Sequence, residues 1–399
     1  MRRHARRFVG TLGVIAIAIG AWAPAAGAGG GGDGGTEAPE GITETEITIS
    51  VISGFTGPVA ALNENAYEGL QTWADDFNAD SGVFDRQVKL VKVDHKETAD
   101  GGVAACKEAL SNGSFMVVVP EGVEANLTAV DCLDEAGMPT LYFAGNTDPD
   151  WQYAFSYIPT AVSQGKSVAS YIKNVLKDGG KKIGVLYQNT QTPEAGANAF
   201  TKRAKRLGLD VVAEEAVEQS QTTFVPQLQR LKDAGAEVVF LAVVNEALGI
   251  FRDAQTMGYD ATFTGGGFTF DFLSTALKEA MDGASGLRFG AAVVSDVYAE
   301  YEARMEANGR GRDRTEDQEG FLFYGLGLLL EQVLTAAGEN PTRESLVAGA
   351  ETIKGYDNGI LPPITYGPDD HVGTTASFPV VCCNDDFTWQ GKGKAKAKF

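Results

Sequence analysis

The sequence predicts an α/β protein made of two doubly wound parallel-sheet lobes, and three observations carry that prediction. Strand-like and helix-like segments alternate along the chain. The alternation stops and restarts once, after Thr160. At 399 residues and 44% hydrophobic content, the chain is too long for one compact core and apolar enough to fill two.

The elements follow in order. Glu46 to Ile52 is a short β-rich run, and Ala66, Leu70, Trp73 and Phe77 then recur at helical spacing. After a turn at Asn78 to Gly82, Gln87 to Val93 reads as a strand, and Val103, Cys106 and Leu110 mark one face of a second helix. Phe115 to Val119 is a buried strand; Leu127, Val130 and Leu133 belong to a third helix and Thr140 to Phe143 to the next strand. Strands joined by helices in this order build a parallel sheet covered on both faces. Beyond Thr160 the pattern repeats. Helices are predicted over Val162–Leu176, Ala195–Leu207, Val225–Ala234 and Ala247–Met257. Between them come strands at Lys182–Tyr187, Val211–Val217 and Val238–Val244, with another from Thr262 to Gly265. Leu287 to Val294 reads as a strand leaving this unit. Helices Glu319–Ala337 and Arg343–Ile353 and a β-rich, turn-rich end from Ile364 complete the chain.

Charge narrows the partners. A formal net charge of -20 repels nucleic acid and anionic membranes, so no nucleic acid is expected. The first residues address the chain instead of folding. Arg2, Arg3, Arg6 and Arg7 precede an apolar stretch from Phe8 to Ala23, and Ala26-Gly27-Ala28 matches a small-residue cleavage site. Residues 1–28 therefore read as a signal peptide, 29–41 as a glycine-rich linker, and 391–399 as a solvated basic tail. Export makes disulfides feasible. Cys106 and Cys132 lie on the helices after the second and third strands. In a 2-1-3-4 strand order with right-handed crossovers those helices are neighbours on one sheet face, which predicts a Cys106–Cys132 bond. Cys382 and Cys383 are left to pair with each other or stay reduced.

The order of elements resembles the type I periplasmic binding proteins, in particular the leucine/isoleucine/valine-binding branch. Five stretches carry the likeness: Ile49 to Pro58 as first strand and ligand loop, Phe77 to Val93, Ala136 to Pro149, Phe155 to Ile172 with Pro159 and Gln164-Gly165, and Phe321 to Tyr356. The resemblance implies two lobes joined by a multi-strand hinge, one at 42–159 plus 289–339 and the other at 160–288 plus 340–390. It also implies no cofactor and no catalysis. The expected function is that of the extracytoplasmic solute-binding subunit of an ABC importer, periplasmic or at the cell surface. The subunit would be a monomer serving permease and ATPase subunits and closing around a small polar solute of the amino-acid, amide or carboxylate class. A sensor module on the same fold is the alternative.

In open parallel sheets ligands bind beyond the carboxyl ends of strands, near helix N-termini. The candidates there are Phe55, Thr56, Glu121, Gly122, Gly145, Asn146 and Thr147 in the first lobe. In the second they are Tyr187, Gln188, Asn189, Asn245, Glu246, Gly267 and Phe268. By resemblance, Gly145 and Thr147 hold a solute carboxylate; the alternative for Thr147 is an N-cap of the following segment. Glu121 either receives an ammonium or amide or is solvated at the rim. Phe55, Tyr187 and Phe268 either line an amphipathic pocket or pack. Gly265-Gly-Gly-Phe268 departs from the family in offering no acid for an α-ammonium. Enzyme readings find little support. Beyond the leader the chain has only His95 and His371, the first read as ending a strand on a solvated edge. It has no Gly-x-Ser-x-Gly or His-Glu-x-x-His motif and no metal-ligand spacing.

Overall fold

The structure, a computed structural model, describes residues 40–57, 60–120, 124–143, 151–219, 221–244, 246–270, 283–291, 295–311, 317–381 and 390–391. The leader and linker, the basic tail, Cys382 and Cys383 lie outside the described residues.

Two sheets organise the chain. The first has the order β2-β1-β3-β4-β5, from β1 (Glu46–Ser53), β2 (Gln87–Asp94), β3 (Met116–Val119), β4 (Thr140–Tyr142) and β5 (Ala154–Ser156). All its pairings are parallel, with Ile49 opposite both Leu90 and Met116. The second sheet is built from β6 (Lys182–Gln188), β7 (Asp210–Val217), β8 (Val238–Ala242), β9 (Thr262–Gly265) and β10 (Ser285–Arg288). Antiparallel β11 (Phe378–Val381) and β12 (Gln390–Gly391) extend its edge, giving β12-β11-β10-β9-β8-β6-β7. Read from β7, its five parallel strands repeat the 2-1-3-4-5 order of the first sheet. Each sheet therefore changes winding direction once, between β1 and β3 and between β6 and β8.

Helices close both sheets. In the first lobe these are α1 (Ala60–Ala79), α2 (Ala99–Ser111) and α3 (Glu124–Glu135). In the second they are α4 (Ala161–Tyr171), ending in a π-helical turn Ile172–Leu176, then α5 (Gln191–Leu207), α6 (Val225–Asp233), α7 (Ala247–Thr256) and the short α8 (Gly267–Phe270). Thr98 caps α2, its hydroxyl accepting from the Gly101 N–H at 3.0 Å, which satisfies one orphan donor of the first turn. The buried face of α2 is Gly102, Ala105, Cys106 and Ala109. Val103, expected on that face, is instead exposed. Cys106 and Cys132 are bonded, tying α2 to α3 as the crossover geometry predicted.

Three later helices are α9 (Asp296–Ala307), α10 (Gln318–Ala337) and α11 (Arg343–Ala350). The sequence reading missed α9, although Ser295 caps it and Tyr298, Tyr301 and Met305 form a buried helical stripe. It also missed β5, three residues long, and ran the strand at Leu287 on to Val294, whereas β10 ends at Arg288, residues 289–291 are not in a strand and 292–294 are not described. α10 is long and apolar enough to cross a membrane by length and composition. Its Phe321, Leu322, Leu326, Leu329, Leu330 and Val333 are all buried, as in the core helix of a globular fold. It lies close against α1, where a Cβ on Gly69 would meet the Gly320 carbonyl.

The chain passes between the sheets in several strands. β5 runs through Tyr157–Thr160 into α4, and the segment from His371 to Gly373 lies beside it. Ser156 N–H donates to the His371 carbonyl and Gly373 N–H to that of Ser156, both at 2.9 Å. The return after β10 is pinned by Ala291 N–H to the Ile360 carbonyl at 2.8 Å and by Phe289, edge-on to Phe143 with ring centroids 5.0 Å apart. The sequence reading placed 340–390 in the second lobe. The packing differs over part of that span. Leu346, Ala350, Ile353, Leu361, Ile364 and Tyr366 join the core around β1–β5, whereas Phe378–Val381 pairs with the second sheet.

Candidate functional site

The carboxyl edge of the second sheet opens into a cavity of about 410 Å³. It lies at the switch point between β6 and β8. Gln188 ends β6 and Thr190 follows it, Val243 and Val244 follow β8, Gly266 and Thr269 follow β9, and Gln191, Thr192 and Pro193 form the first turn of α5. Gln219 completes the wall, and Leu127 of α3 contributes from the first lobe. Among the described residues the lining is neutral, made of glutamine amides, threonine hydroxyls, backbone and aliphatic surface. Thr190 is the N-cap of α5 but makes no side-chain capping bond, so the helix presents unpaired N–H groups and a partial positive charge to the cavity.

Several polar groups here are held by neighbours. Gln164, on α4 directly after the crossover, accepts the Gly267 N–H at 2.8 Å and donates Nε2 to the Pro159 carbonyl at 3.2 Å. A Cβ on Gly266 would strike its Oε1, so the glycine permits the amide to reach the turn. Thr269 donates its hydroxyl to the Leu241 and Val243 carbonyls at 3.1 and 2.8 Å, closing the end of β8. Gln188 Nε2 donates to the buried Glu246 carboxylate at 3.3 Å.

The first sheet's edge is arranged differently. Phe55 N–H donates to Asp94 Oδ1 at 3.1 Å and the Thr56 hydroxyl to Oδ2 at 2.6 Å, with Lys96 N–H adding a third bond at 2.9 Å. Partial burial pushes the Asp94 carboxyl up, but bonds from Thr56, Lys96 and Phe55 outweigh it and hold the carboxyl below the usual range. The Phe55 ring meets Tyr67 edge-on at 5.8 Å, and Lys92 sits over both rings.

The sequence candidates divide accordingly. Gln188 lines the cavity, whereas Gly267 lies next to the lining residue Gly266 and has its N–H taken by Gln164. Glu246 lies behind Gln188. Tyr187 packs with the core between α4, α5 and the second sheet, and Asn189 is exposed, donating Nδ2 to Glu218 at 3.2 Å. Phe55 and Thr56 are engaged within their own lobe. Glu121, Gly122, Gly145, Asn146, Thr147, Asn245 and the side chain of Phe268 lie outside the described residues. Gln164, Thr190, Thr192, Gln219 and Leu127 were not read as site residues. The Gln164-Gly165 pair stood out only as a mark of resemblance, and Thr190 could have been found as the threonine opening a helix after a strand. His95, expected on a solvated edge, is fully buried, its Nδ1 accepting the Glu97 N–H at 2.9 Å; it turns the chain into α2. His371 does sit in a turn, stacked on Phe155 and 3.2 Å from Glu351. Among the described residues no group of three or more His, Cys, Asp or Glu side chains could hold a metal ion.

Known proteins share this architecture. A Leu/Ile/Val-binding protein homolog 3 of Brucella melitensis is 28% identical over 228 residues, 55% of this chain. The chain thus spans about three-fifths of that relative's length, the match covering 61% of it. A fatty acid ABC transporter substrate-binding protein from Thermomonospora curvata superposes with a TM-score of 0.78 at 18% identity, covering 91% of this chain and 95% of that one. A branched chain amino acid ABC transporter structure from Thermus thermophilus with bound valine gives 0.76 at 16% identity, covering 90% and 98%. Their shared fold is the two-sheet α/β fold described above. A family model described as periplasmic binding protein matches residues 46–386, and the chain belongs to that family.

Proposed function

We propose that this chain is the exported solute-binding subunit of an ABC importer, non-enzymatic and monomeric, delivering its cargo to permease and ATPase subunits. The lobes close around a small solute bearing a carboxylate or amide. The observation that carries this reading is the neutral cavity at the β6–β8 switch point, with the α5 N-terminus on one side and Leu127 of the other lobe across it. An uncharged wall of amides and hydroxyls beside a helix N-terminus suits a polar or anionic head, and Val243, Val244 and Leu127 suit an apolar body. Relatives named for leucine, isoleucine and valine, and structural neighbours named for a fatty acid or holding valine, fit that class: each pairs a carboxylate with hydrocarbon. Glu121, Gly122, Gly145, Asn146, Thr147 and Asn245 remain proposed contacts on the loops between the lobes. Residues 1–28 act as the export signal.

A thermal-shift screen over amino acids, amides, aromatic acids and fatty acids tests the reading. A solute at one hundred times its dissociation constant adds about 2.7 kcal/mol. A raised melting temperature for one class is the expected result; turnover of that solute by purified protein would contradict a pure binding role.

A further inference from the structure

We propose that Asn126 is a solute-binding residue, its carboxamide holding a solute group that carries a hydrogen-bond donor and an acceptor on neighbouring atoms. The inference rests on the cleft being the solute site. Asn126 is 1% exposed, yet neither its Oδ1 nor its Nδ2 has a hydrogen-bond partner. Folded proteins satisfy the great majority of buried polar side chains, because a buried amide without partners forfeits its hydration and receives nothing in exchange. An orphan of this kind calls for an explanation, and its place in the fold supplies one.

Asn126, Val130 and Leu133 recur at helical spacing on α3 and all three are buried. Val130 and Leu133 belong to the core of the first sheet, so the stripe faces β1–β5. An apolar residue would continue that stripe; the sequence places an asparagine there. β3 ends at Val119 and α3 runs back along the sheet, which puts its first turn at the carboxyl edge of the strands, beside the β1–β3 switch point. The next residue, Leu127, lines the cavity. The unpaired amide therefore sits at the cleft end of its stripe, on the first turn of a twelve-residue helix whose leading N–H groups have no intrahelical partner.

A carboxamide offers two donors and one acceptor on one small planar group. It matches another carboxamide, or a carboxylate flanked by an α-hydroxyl or α-amino group. A simple monocarboxylate fills only half of it. Both kinds of solute fall within the class proposed above, and the probes separate them.

Asn126→Leu removes the orphan and keeps the branching and the number of side-chain heavy atoms. Melting is measured without solute, and binding with propionamide, L-lactate, L-valine and propionate as probes. A residue reserved for solute predicts an unchanged or higher melting temperature for Asn126→Leu. It also predicts at least about tenfold weaker binding of whichever of propionamide, L-lactate or L-valine the wild type takes, with propionate affected less. Asn126→Asp, which keeps the shape and loses the donors, is expected to weaken lactate and valine as well. A clear fall in the melting temperature of Asn126→Leu would show that the amide serves the fold, and wild-type binding by that variant would show that it serves nothing in the cleft; either overturns the proposal alone. No shift of the wild type with any solute of the wider screen would instead overturn the cleft as a solute site, and this proposal with it.

Discussion

The two sheets repeat one strand order but present different chemistry at their carboxyl edges. On the first, the loop after β1 is folded back on its own lobe: Asp94 collects the Phe55 N–H, the Thr56 hydroxyl and the Lys96 N–H. On the second, glutamine amides and the uncapped Thr190 line a cavity. The first lobe also carries the Cys106–Cys132 bond, whereas no disulfide occurs in the second lobe among the described residues. Topology thus fixes where a ligand can sit, while local hydrogen bonding decides which wall is already occupied by protein. The first lobe is braced by a covalent bond, the edge of the second sheet by the hydrogen bonds of Gln164 and Thr269.

The comparison can be broken first at the brace. Replacing Cys106 and Cys132 by serine frees a loop with a sequence separation of 26, and the chain-entropy model gives a loss of roughly 3–4 kcal/mol. Urea denaturation followed by tryptophan fluorescence measures it. Loss confined to the first lobe would show as a separate early transition, and equal stability of wild type and double variant would remove the brace from the account.

A smaller effect is expected at the edge of the second sheet. Gln164→Leu leaves the Gly267 N–H without its acceptor and frees the turn from the crossover. The expected cost is about 1–3 kcal/mol, with faster hydrogen exchange at the Gly267 amide. Wild-type exchange there would mean that the turn holds its shape without Gln164.

The smallest effect belongs to Asp94. Its folded-state pKa is depressed, so its stabilising contribution is present above the unfolded value and is lost as pH falls through the folded one. Thr56→Val removes one of the bonds that lower it. The carboxyl is then expected to titrate at higher pH, and the acid loss of stability to begin earlier. Carbon-detected NMR titration of Asp94 in both proteins checks the direction, and an unchanged titration would deny the hydroxyl its part.

Much of this molecule was legible in its sequence because burial writes strong periodicities. β1, α1, β6 and α7 follow apolar patterns that leave few alternatives, and the Cys106–Cys132 pairing followed from strand order, crossover handedness and the export signal together. What escaped did so for physical reasons. β5 is three residues long, too short for a period to register. α9 buries only Tyr298, Tyr301 and Met305 in an otherwise charged segment. His95 lies one residue past its strand and is buried where a solvated edge was expected. At the site, sequence located the strand ends and not the direction of their side chains. Tyr187 and Gln188 are adjacent and point to opposite environments, core and cavity, as the two-residue period of a strand requires. Gln164 reaches the cavity from α4, 103 residues before the Gly267 turn it holds, a contact no local pattern announces.

The central claim is that the two walls close on a solute, and small-angle scattering of the intact protein with and without the best solute of the thermal screen tests it most directly. The account predicts a smaller radius of gyration at saturation, as the lobes rotate about the segments near Pro159, Phe289 and Val372. A superimposable profile at saturating solute would contradict it.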